Sequence, residues 1–428
     1  MRLTCRWAVA AALGLASPAG AQAFRDSVTV IRAARMLDVT TGNVVANAMI
    51  TVTGDRITSI TGGAVPSGAR VIDLGDVTLL PGLIDMHTHV TYNIEAGSFV
   101  RAARDTDADE TVRGVRNAHL MLLSGFTTVR DVGSNGFSDV ALMRASDAGW
   151  IDAPRIVPAG HSLGITGGHC DNTGWKPGVL QGSTLTGIAD GRDQAVQAVR
   201  QQLKYGAKVI KICATAGVLS FEESVGAQQF SDEELRAIVE EATRHGVKVA
   251  AHAHGAQGII AAVRAGVASI EHGSMINDES IALMKQRGTY LVPTTYLADS
   301  IDLSALPPLL RSKAEHIMPL ARENLRRAIR AGVKIAFGTD AAVIPHGHAV
   351  REFATLVERG MTPLGAIQAG TINATDLLGT GDRGRLAPGL LADIVAVPGN
   401  PLADIRAMER VSFVMKGGRV YKQLRPQD

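Results

Sequence analysis

Two histidines separated by one residue, His87 and His89, follow directly after an apolar run that ends at Ile84. Because alternate residues of a strand project to the same face, both imidazoles point the same way where that strand ends. Two imidazoles that converge in this way can hold a divalent metal ion. The spacing therefore indicates a metal site at the end of a buried strand.

Ligand-type side chains recur at the ends of other predicted strands. One histidine on an apolar strand is usually a core residue, but several imidazole and carboxylate groups at matching strand ends favour a metal centre. Six groups exceed the needs of one Zn²⁺ and suit two metal ions about 3.5–4 Å apart. The predicted ligands are His87, His89, Lys211, His252, His272 and Asp340.

Lys211 is expected to bridge the two metal ions together with a hydroxide. An ammonium group cannot do so, since its reference pKa is about 10.4. Burial beside metal ions favours the neutral amine, which can add CO₂ to form a carbamate with two oxygens. Lys208 is the rival, but strand alternation points it to the opposite face, and Val209 and Ile210 place Lys211 deeper in the strand.

Asp340 is the expected general base. It would bind one metal ion, take a proton from the bridging water and pass it to the leaving amine. His252 and His254 share a face, so spacing alone does not decide which is the ligand. The other histidine would contact the substrate.

Residues outside the ligand set are expected to bind the substrate. His169 is predicted to help polarise the attacked carbonyl, with His161 as a competitor after the same strand. Tyr296 and His254 are candidates to bind a substrate carboxylate. His346 and His348 are expected in a solvated loop near the mouth of the site.

The middle of the chain, 81–385, alternates predicted strands with amphipathic helices. One helix is predicted over 231–245, with Ser231 as its N-cap and Glu234 completing a capping box. Eight such units predict an α/β protein with a (β/α)8 TIM barrel, whose active site lies at the carboxyl ends of the strands. The strand candidates are 83–89, 127–132, 155–160, 208–214, 247–253, 268–272, 289–294 and 334–339.

Both ends of the chain read as short strands with turns. Segments 24–80 and 386–428 share this pattern of short β-rich runs and turn residues, which predicts one small β-sandwich domain built from both termini. Residues 1–23 have a basic start, an apolar run and a small-residue cleavage site, so they are expected to be a cleaved signal peptide. The mature protein is then secreted, and periplasmic in a Gram-negative cell.

Charge excludes some partners. Of 43 basic residues, Arg2 and Arg6 lie in the signal peptide, and none of the 41 acidic residues does, so the mature chain is close to neutral. This balance gives no reason to expect binding to nucleic acid or to a membrane surface. Cys170 and Cys213 are expected to be buried free thiols, although an oxidising compartment would permit a disulfide.

At these motifs the chain resembles the amidohydrolase superfamily, over nearly the whole mature sequence. Within it, the chain is most similar to the secreted prolidase and carboxypeptidase branch, which includes ochratoxin-hydrolysing amidohydrolases. The resemblance favours His252 as the ligand and implies a homo-oligomer, with an octamer as one form. The matching segments are Leu80-Pro81-Gly82-Leu83-Ile84-Asp85-Met86-His87-Thr88-His89, Val209-Ile210-Lys211-Ile212, His252-Ala253-His254-Gly255, Ile270-Glu271-His272-Gly273 and Gly338-Thr339-Asp340-Ala341.

The resemblance implies a binuclear zinc amidohydrolase, other divalent metals being allowed, that cleaves the amide bond to a C-terminal amino acid in a small amide or dipeptide. Xaa-Pro dipeptides and ochratoxin A, which would yield phenylalanine and an isocoumarin acid, are expected substrates. Relatives often carry Ser-Gly-Gly-Val where this chain has Thr215-Ala216-Gly217-Val218, in a loop that faces the substrate. The alternatives are a mononuclear ring hydrolase or deaminase of the imidazolonepropionase kind, and a non-catalytic binding barrel.

Overall fold

The computed structural model describes residues 27–424 of the 428-residue chain, apart from positions 61, 63, 96 and 223. The predicted signal peptide lies outside the described residues. Strands dominate both ends of the chain, and strands and helices alternate between them. Among the described residues, no helix combines the length and the apolar character that a membrane span requires.

Both ends of the chain contribute to one eight-stranded sheet. Leu80 from the first end lies opposite Val395 from the second, in an antiparallel pair. These two residues pack into the core of the central region, whereas their neighbours Leu79 and Ile394 pack into a separate core of the sheet. The two ends therefore build one layer, and its division into a sandwich stays a prediction. The strands are β1 (Val28–Leu37), β2 (Val44–Thr53), β3 (Arg56–Ile60), β4 (Arg70–Asp73), β5 (Val77–Pro81), β13 (Ile394–Pro398), β14 (Phe413–Lys416) and β15 (Arg419–Gln423).

Seven parallel strands form the central region, in two sheets of three and four strands. Single parallel bridges connect the sheets, for example between Leu163 and Ile212. Each strand matches one of seven of the eight predicted segments, with every end within two residues of the predicted one. They are β6 (Leu83–Thr88), β7 (Phe126–Asp131), β8 (Arg155–Pro158), β9 (Ile210–Cys213), β10 (Val249–Ala253), β11 (Ser269–His272) and β12 (Tyr290–Val292).

The predicted eighth strand, 334–339, is not a strand in the structure. Single bridges join Ile335 to Leu291 and Ala341 to Thr88, so the segment still lies between β12 and β6. At Gly338 an added Cβ would come within 2.3 Å of a Val292 methyl carbon, which shows how closely the backbones pack there. Backbone hydrogen bonds join the segment to both neighbours, from the amide of Ala336 to Leu291 and from that of Met86 to Phe337, although the two sheets do not form one continuous closed ladder.

Helices pack around the central strands and bury their apolar faces in the main core. The capping box predicted at Ser231 is present, with its hydroxyl accepting a bond from the amide of Glu234. Short 3₁₀ turns cover Thr184–Thr186, Leu303–Ala305, His346–Arg351 and Ile405–Arg410. The helices are α1 (Ser98–Ala102), α2 (Asp107–Leu123), α3 (Ser138–Asp147), α4 (Arg192–Tyr205), α5 (Asp232–Arg244), α6 (Ala256–Ala265), α7 (Asp278–Arg287), α8 (Leu297–Ser300), α9 (Pro308–Arg330), α10 (Glu352–Glu358), α11 (Pro363–Ala369) and α12 (Ile372–Leu378).

Candidate active site

The carboxyl ends of the central strands bring the predicted ligand histidines together. The ring centres of His87 and His272 lie 4.9 Å apart, and those of His252 and His272 lie 4.8 Å apart. The ring of His89 lies 5.5 Å from that of His87. Four imidazoles from β6, β10, β11 and the residue just after β6 therefore surround one small space.

Asp340 completes this group from the segment after β12. Its Oδ1 lies 3.5 Å from Nε2 of His87 and 3.6 Å from Nε2 of His89. Ligand atoms of His87, His272 and Asp340 all lie within 4.8 Å of one another. Lys211 is buried in β9, and after burial its charge is the next largest cause of the lowered pKa of both His87 and His89.

The donor set fits a divalent metal ion. Imidazole nitrogen and carboxylate oxygen are the ligands that zinc and related metals prefer. Nε2 of His252 is buried and has no hydrogen-bond partner among the described residues, which is unfavourable for a polar atom unless something else binds it. A metal site here is chemically consistent, and the individual ligand roles stay predictions.

Two of the histidines have a defined tautomer. Nδ1 of His87 lies 2.8 Å from a carboxylate oxygen of Glu271, and Nδ1 of His89 lies 2.9 Å from the carbonyl oxygen of Gly133. Both partners are acceptors when the carboxylate is ionised, so each Nδ1 must donate its proton. The lone pair is then on Nε2, the nitrogen closest to Asp340, where a metal would need it.

A buried charged network supports His87 from behind. The guanidinium of Arg130 donates to Glu271 at 2.8 Å and to the carbonyl oxygen of Met86 at 2.6 Å. The hydroxyl of Ser269 also donates to Glu271, at 2.5 Å. Sequence reasoning missed Arg130 and Glu271. The available signal was a charged residue inside each of two buried apolar strands.

Burial sets the protonation of the group. It lowers the pKa of His89 to about 4 and holds the pKa of His87 well below its ordinary range, so both rings are neutral at physiological pH. Burial also lowers the pKa of Lys211 to about 8 and raises that of Asp340 to about 6. Neutral imidazoles are the form that binds metal.

The backbone adopts left-handed conformations at three non-glycine residues of the site. The φ angles are 68° at His272, 47° at Thr294 and 58° at Asp340. Such conformations cost free energy and persist only where the surroundings impose them. The Thr294 hydroxyl lies 2.8 Å from Nδ1 of His272, so the strained turn after β12 also orients a predicted ligand.

Two further histidines line a cavity next to the ligand group. His169 stacks on His252 with 4.1 Å between ring centres, and its Nδ1 lies 2.7 Å from the Ser220 hydroxyl. Nδ1 of His254 lies 2.8 Å from the Ser274 hydroxyl. The predicted placement of His169 and His254 beside the ligands is thus observed. The two serines were not predicted, because no local pattern marks them.

The cavity has a volume of about 120 Å³. His169, His252, His254, His272 and Asp340 line one end of it. Apart from the hydroxyl side chains of Ser274, Thr294 and Thr295, the rest of the lining is apolar and comes mainly from the segments after β9 and β12 and from α9. The apolar residues include Val218, Leu219, Pro293, Leu297, Ile317 and Met318.

Three other histidine and tyrosine predictions have different outcomes. Tyr296 does not line the cavity, and its hydroxyl accepts a hydrogen bond from Arg351 at 3.0 Å. His161 bonds to Gln202 instead of entering the cavity. The expectation that His346 is solvated is wrong, since its ring is buried with Nε2 3.3 Å from the carbonyl oxygen of His89.

The expectation of free thiols is also wrong. Cys170 and Cys213 form a disulfide, with their Cα atoms 5.8 Å apart. The loop after β8 pairs with β9 through the bridge between Leu163 and Ile212, which brings Cys170 beside that strand. This long-range contact could not be read from the positions of the two cysteines in the sequence.

Comparison with known proteins agrees with this geometry. The sequence model of the amidohydrolase family matches residues 78–421. Ochratoxinase of Aspergillus niger is 37% identical over 369 residues, covering 80% of this chain and 75% of that protein.

Solved structures are similar over almost the whole chain. A Xaa-Pro dipeptidase with methionine bound in its active site has a TM-score of 0.88 at 38% identity, covering 92% of this chain and 100% of the other. The A. niger ochratoxinase structure has a TM-score of 0.81 at 32% identity, covering 93% and 96%. The fold is therefore of the TIM-barrel type found in these enzymes.

Proposed function

The chain belongs to the amidohydrolase family and is a hydrolytic enzyme, and we propose that it hydrolyses the amide bond between an acyl group and a C-terminal amino acid. The observation that carries this proposal is the cavity whose one end is lined by His169, His252, His254, His272 and Asp340 and whose other walls are mainly apolar. The similar Xaa-Pro dipeptidase and ochratoxinase support it.

The predicted ligands would hold two divalent metal ions, zinc by preference. When bound, the metal ions would polarise the scissile carbonyl and make the attacking water more acidic. Lys211 is proposed to bridge them as a carbamate, because its buried amine has a pKa lowered to about 8 and so is more readily neutral. The proposed ligands are His87, His89, Lys211, His252, His272 and Asp340.

Asp340 is proposed to move the proton. Its carboxylate is buried between His87 and His89, and burial raises its pKa to about 6, which suits exchange of a proton near neutral pH. It would take a proton from the attacking water and deliver it to the amine nitrogen that leaves. Without this delivery the leaving group would be an unstable amide anion.

His169 and His254 are proposed to bind and orient the substrate. A serine hydroxyl occupies Nδ1 of each ring, so Nε2 is the nitrogen left to contact the substrate. When the serine donates to Nδ1, Nε2 carries the proton and can donate to the carbonyl or to the carboxylate. Tyr296 is not used in this proposal, because its hydroxyl is bonded to Arg351 outside the cavity.

The apolar walls favour an apolar side chain on the leaving amino acid. An engineered apolar cavity of about 150 Å³ binds benzene, and this cavity is of similar size at about 120 Å³. No lysine or arginine lines it among the described residues, so an acidic side chain would have no counterion there. Phenylalanine amides of the ochratoxin kind and amides of methionine or leucine fit this chemistry.

A substrate panel tests the proposal. Zinc-loaded enzyme is incubated with N-acyl amino acids, Xaa-Pro dipeptides and ochratoxin A, and released amino acid is measured together with bound metal. We expect hydrolysis of amides with apolar C-terminal residues and about two metal ions per chain. One metal ion with ring-opening or deaminase activity would support the imidazolonepropionase-like alternative, and no amide hydrolysis would contradict the proposal.

A cavity-filling variant tests the assignment of the apolar wall. Ala321 lines the cavity from α9, whereas its neighbour Leu320 is exposed. We expect Ala321→Phe to reduce hydrolysis of phenylalanine amides more than that of alanine amides, and Leu320→Phe to change neither. Equal effects on both substrates would place the leaving side chain elsewhere.

Export and assembly are also proposals. The Cys170–Cys213 disulfide supports an oxidising compartment, in line with the predicted signal peptide. The mass of the mature protein in a periplasmic or culture fraction would locate the cleavage, expected after Ala23. Light scattering would test the homo-oligomer that the resemblance implies.

A further inference from the structure

The disulfide lies next to the site, and we propose that it is a positioning element that holds His169 against His252. Cys170 follows His169 in the chain, and Cys213 pairs in register with His252 across β9 and β10. The disulfide therefore fastens the residue after His169 to a strand position beside the ring on which His169 stacks. This inference rests on the proposed function, because its test measures the rate of amide hydrolysis.

The segment that carries His169 needs such an anchor. The chain leaves the barrel at Gly164 and returns at Ile188, and these two residues meet through a single bridge. Between them the structure records only the short turn Thr184–Thr186 as a helix, and no strand. The amides of this segment bond to carboxylates and turns, as those of Thr166 and Gly167 do to Asp190 and Asp171, and not to a strand ladder. Such irregular segments open at lower free-energy cost than core strands. A covalent link near one end would restrict this opening.

Two glycines make room for the side chains of Cys170 and His169. A Cβ added at Gly164 would come within 2.7 Å of the Cβ of Cys170, and one added at Gly217 would come within 2.1 Å of Nδ1 of His169. Both side chains thus lie directly on neighbouring backbone. A shift of Cys170 away from Gly164 would lift His169 off Gly217 and off the His252 ring.

The other contacts of His169 do not reach a strand. Its ring bonds to Ser220, and its backbone amide donates to the side chain of Gln229 at 3.0 Å. Both partners lie in the segment after β9, and Lys313 of α9 donates to the carbonyl oxygen of Ser220 at 2.7 Å. Leu163 already bonds to β9 six residues before His169, and the disulfide adds a covalent link to the same strand directly after His169.

A double-mutant cycle separates positioning from general stability. The variants are Cys170→Ala/Cys213→Ala, His169→Ala, and all three changes together. We expect removal of the disulfide to lower kcat by roughly tenfold to 100-fold, since small misplacements of an active-site group have effects of this size. Bound metal should not change, because neither cysteine is a predicted ligand.

The triple variant decides the mechanism. If the disulfide acts through His169, removing it from the His169→Ala enzyme causes no further loss of kcat. If kcat of the triple variant instead falls by the product of the two separate losses, the disulfide supports the fold in general. That result would overturn the proposal. Full kcat in the disulfide-free enzyme would overturn it as well.

A second measurement does not depend on the variants folding or on activity. A water-soluble phosphine reduces the disulfide of the native enzyme to two thiols and takes up the oxygen of water, and alkylation with mass spectrometry counts the thiols. We expect faster hydrogen exchange at residues 164–172 in the reduced form and unchanged exchange in β11. Unchanged exchange at 164–172 would contradict the anchoring role. Absence of any amide hydrolysis by native enzyme would instead count against the proposed function.

Discussion

The floor of the site, formed by His87, His89, Lys211 and Asp340, is built differently from its wall, formed by His169 and His254. The floor rings bond to a carboxylate and a backbone carbonyl oxygen, which accept protons. The wall rings bond to serine hydroxyls, which can donate or accept. His87 and His89 are therefore each held in one tautomer, whereas His169 and His254 can each adopt either tautomer.

This difference separates reaction from recognition. A defined lone pair on Nε2 suits the metal-binding role proposed for His87 and His89. His272, another proposed ligand, bonds to the Thr294 hydroxyl and has no tautomer fixed in this way. A ring whose Nε2 can donate or accept suits contact with varied substrate oxygens and nitrogens. His87 and Lys211 lie within strands, whereas His169 lies in the long segment after β8, so changes in that segment can alter the substrate while the strand residues keep their geometry.

The largest expected effect comes from removing the floor lysine. Lys211→Ala removes the only amine proposed to bridge the metal ions, so we expect loss of at least one metal ion per chain and loss of activity by roughly 10³-fold or more. Elemental analysis and kcat measure both. Lys208→Ala is the matched control, since Lys208 is exposed near the start of the same strand. Full metal and turnover in Lys211→Ala would refute the bridging role.

Asp340→Asn should keep the fold and lower kcat by roughly 10²–10⁴-fold, the usual contribution of a positioned proton carrier. The amide is similar in shape but cannot accept the proton from water. Thermal melting and metal content check that only the proton carrier is lost. A rate close to that of the unchanged enzyme would remove Asp340 from the proposed mechanism.

Glu271→Gln tests the support behind the floor. It replaces the carboxylate that accepts from His87 and Arg130, and we expect metal affinity or activity to fall by roughly 10–100-fold. Metal affinity is measured by competition with a chelating dye. Glu279→Gln, on the exposed surface of α7, is the control. Unchanged metal affinity and activity would show that His87 does not depend on this network.

Ser220→Ala should have the smallest effect. One hydrogen bond contributes about 0.5–1.5 kcal/mol net, so kcat/KM should fall by about 2-fold to 13-fold while bound metal stays constant. Steady-state kinetics with one amide substrate measures it. Loss of metal in this variant would mean that the wall and floor are not separate.

The floor was largely predictable from the sequence, as was the placement of His169 and His254, but the groups that hold these two histidines were not. The His-x-His spacing at His87 and the apolar strand around Lys211 are local patterns that fix both residue type and face. Ser220 and Ser274 lie in segments without periodicity, and they become partners of histidines only through long-range folding. Placement of His169 beside the cavity was predicted, but what holds it there was not.

The errors have the same cause. The segment 334–339 has the composition of a strand and lies between β12 and β6, yet it joins them only through single bridges and isolated hydrogen bonds. His346 looks like a loop residue, but tertiary contacts bury it. The Cys170–Cys213 disulfide depends on a loop folding back onto β9. In each case a contact between distant segments overrides the local pattern.

Anomalous X-ray diffraction from crystals of the zinc-loaded enzyme tests the central claim most directly. We predict two zinc peaks, with His87, His89, His252, His272 and Asp340 as ligands and density for a carbamate on Lys211 between the peaks. Peaks elsewhere, or none within reach of His87 and Asp340 in fully loaded protein, would contradict the account.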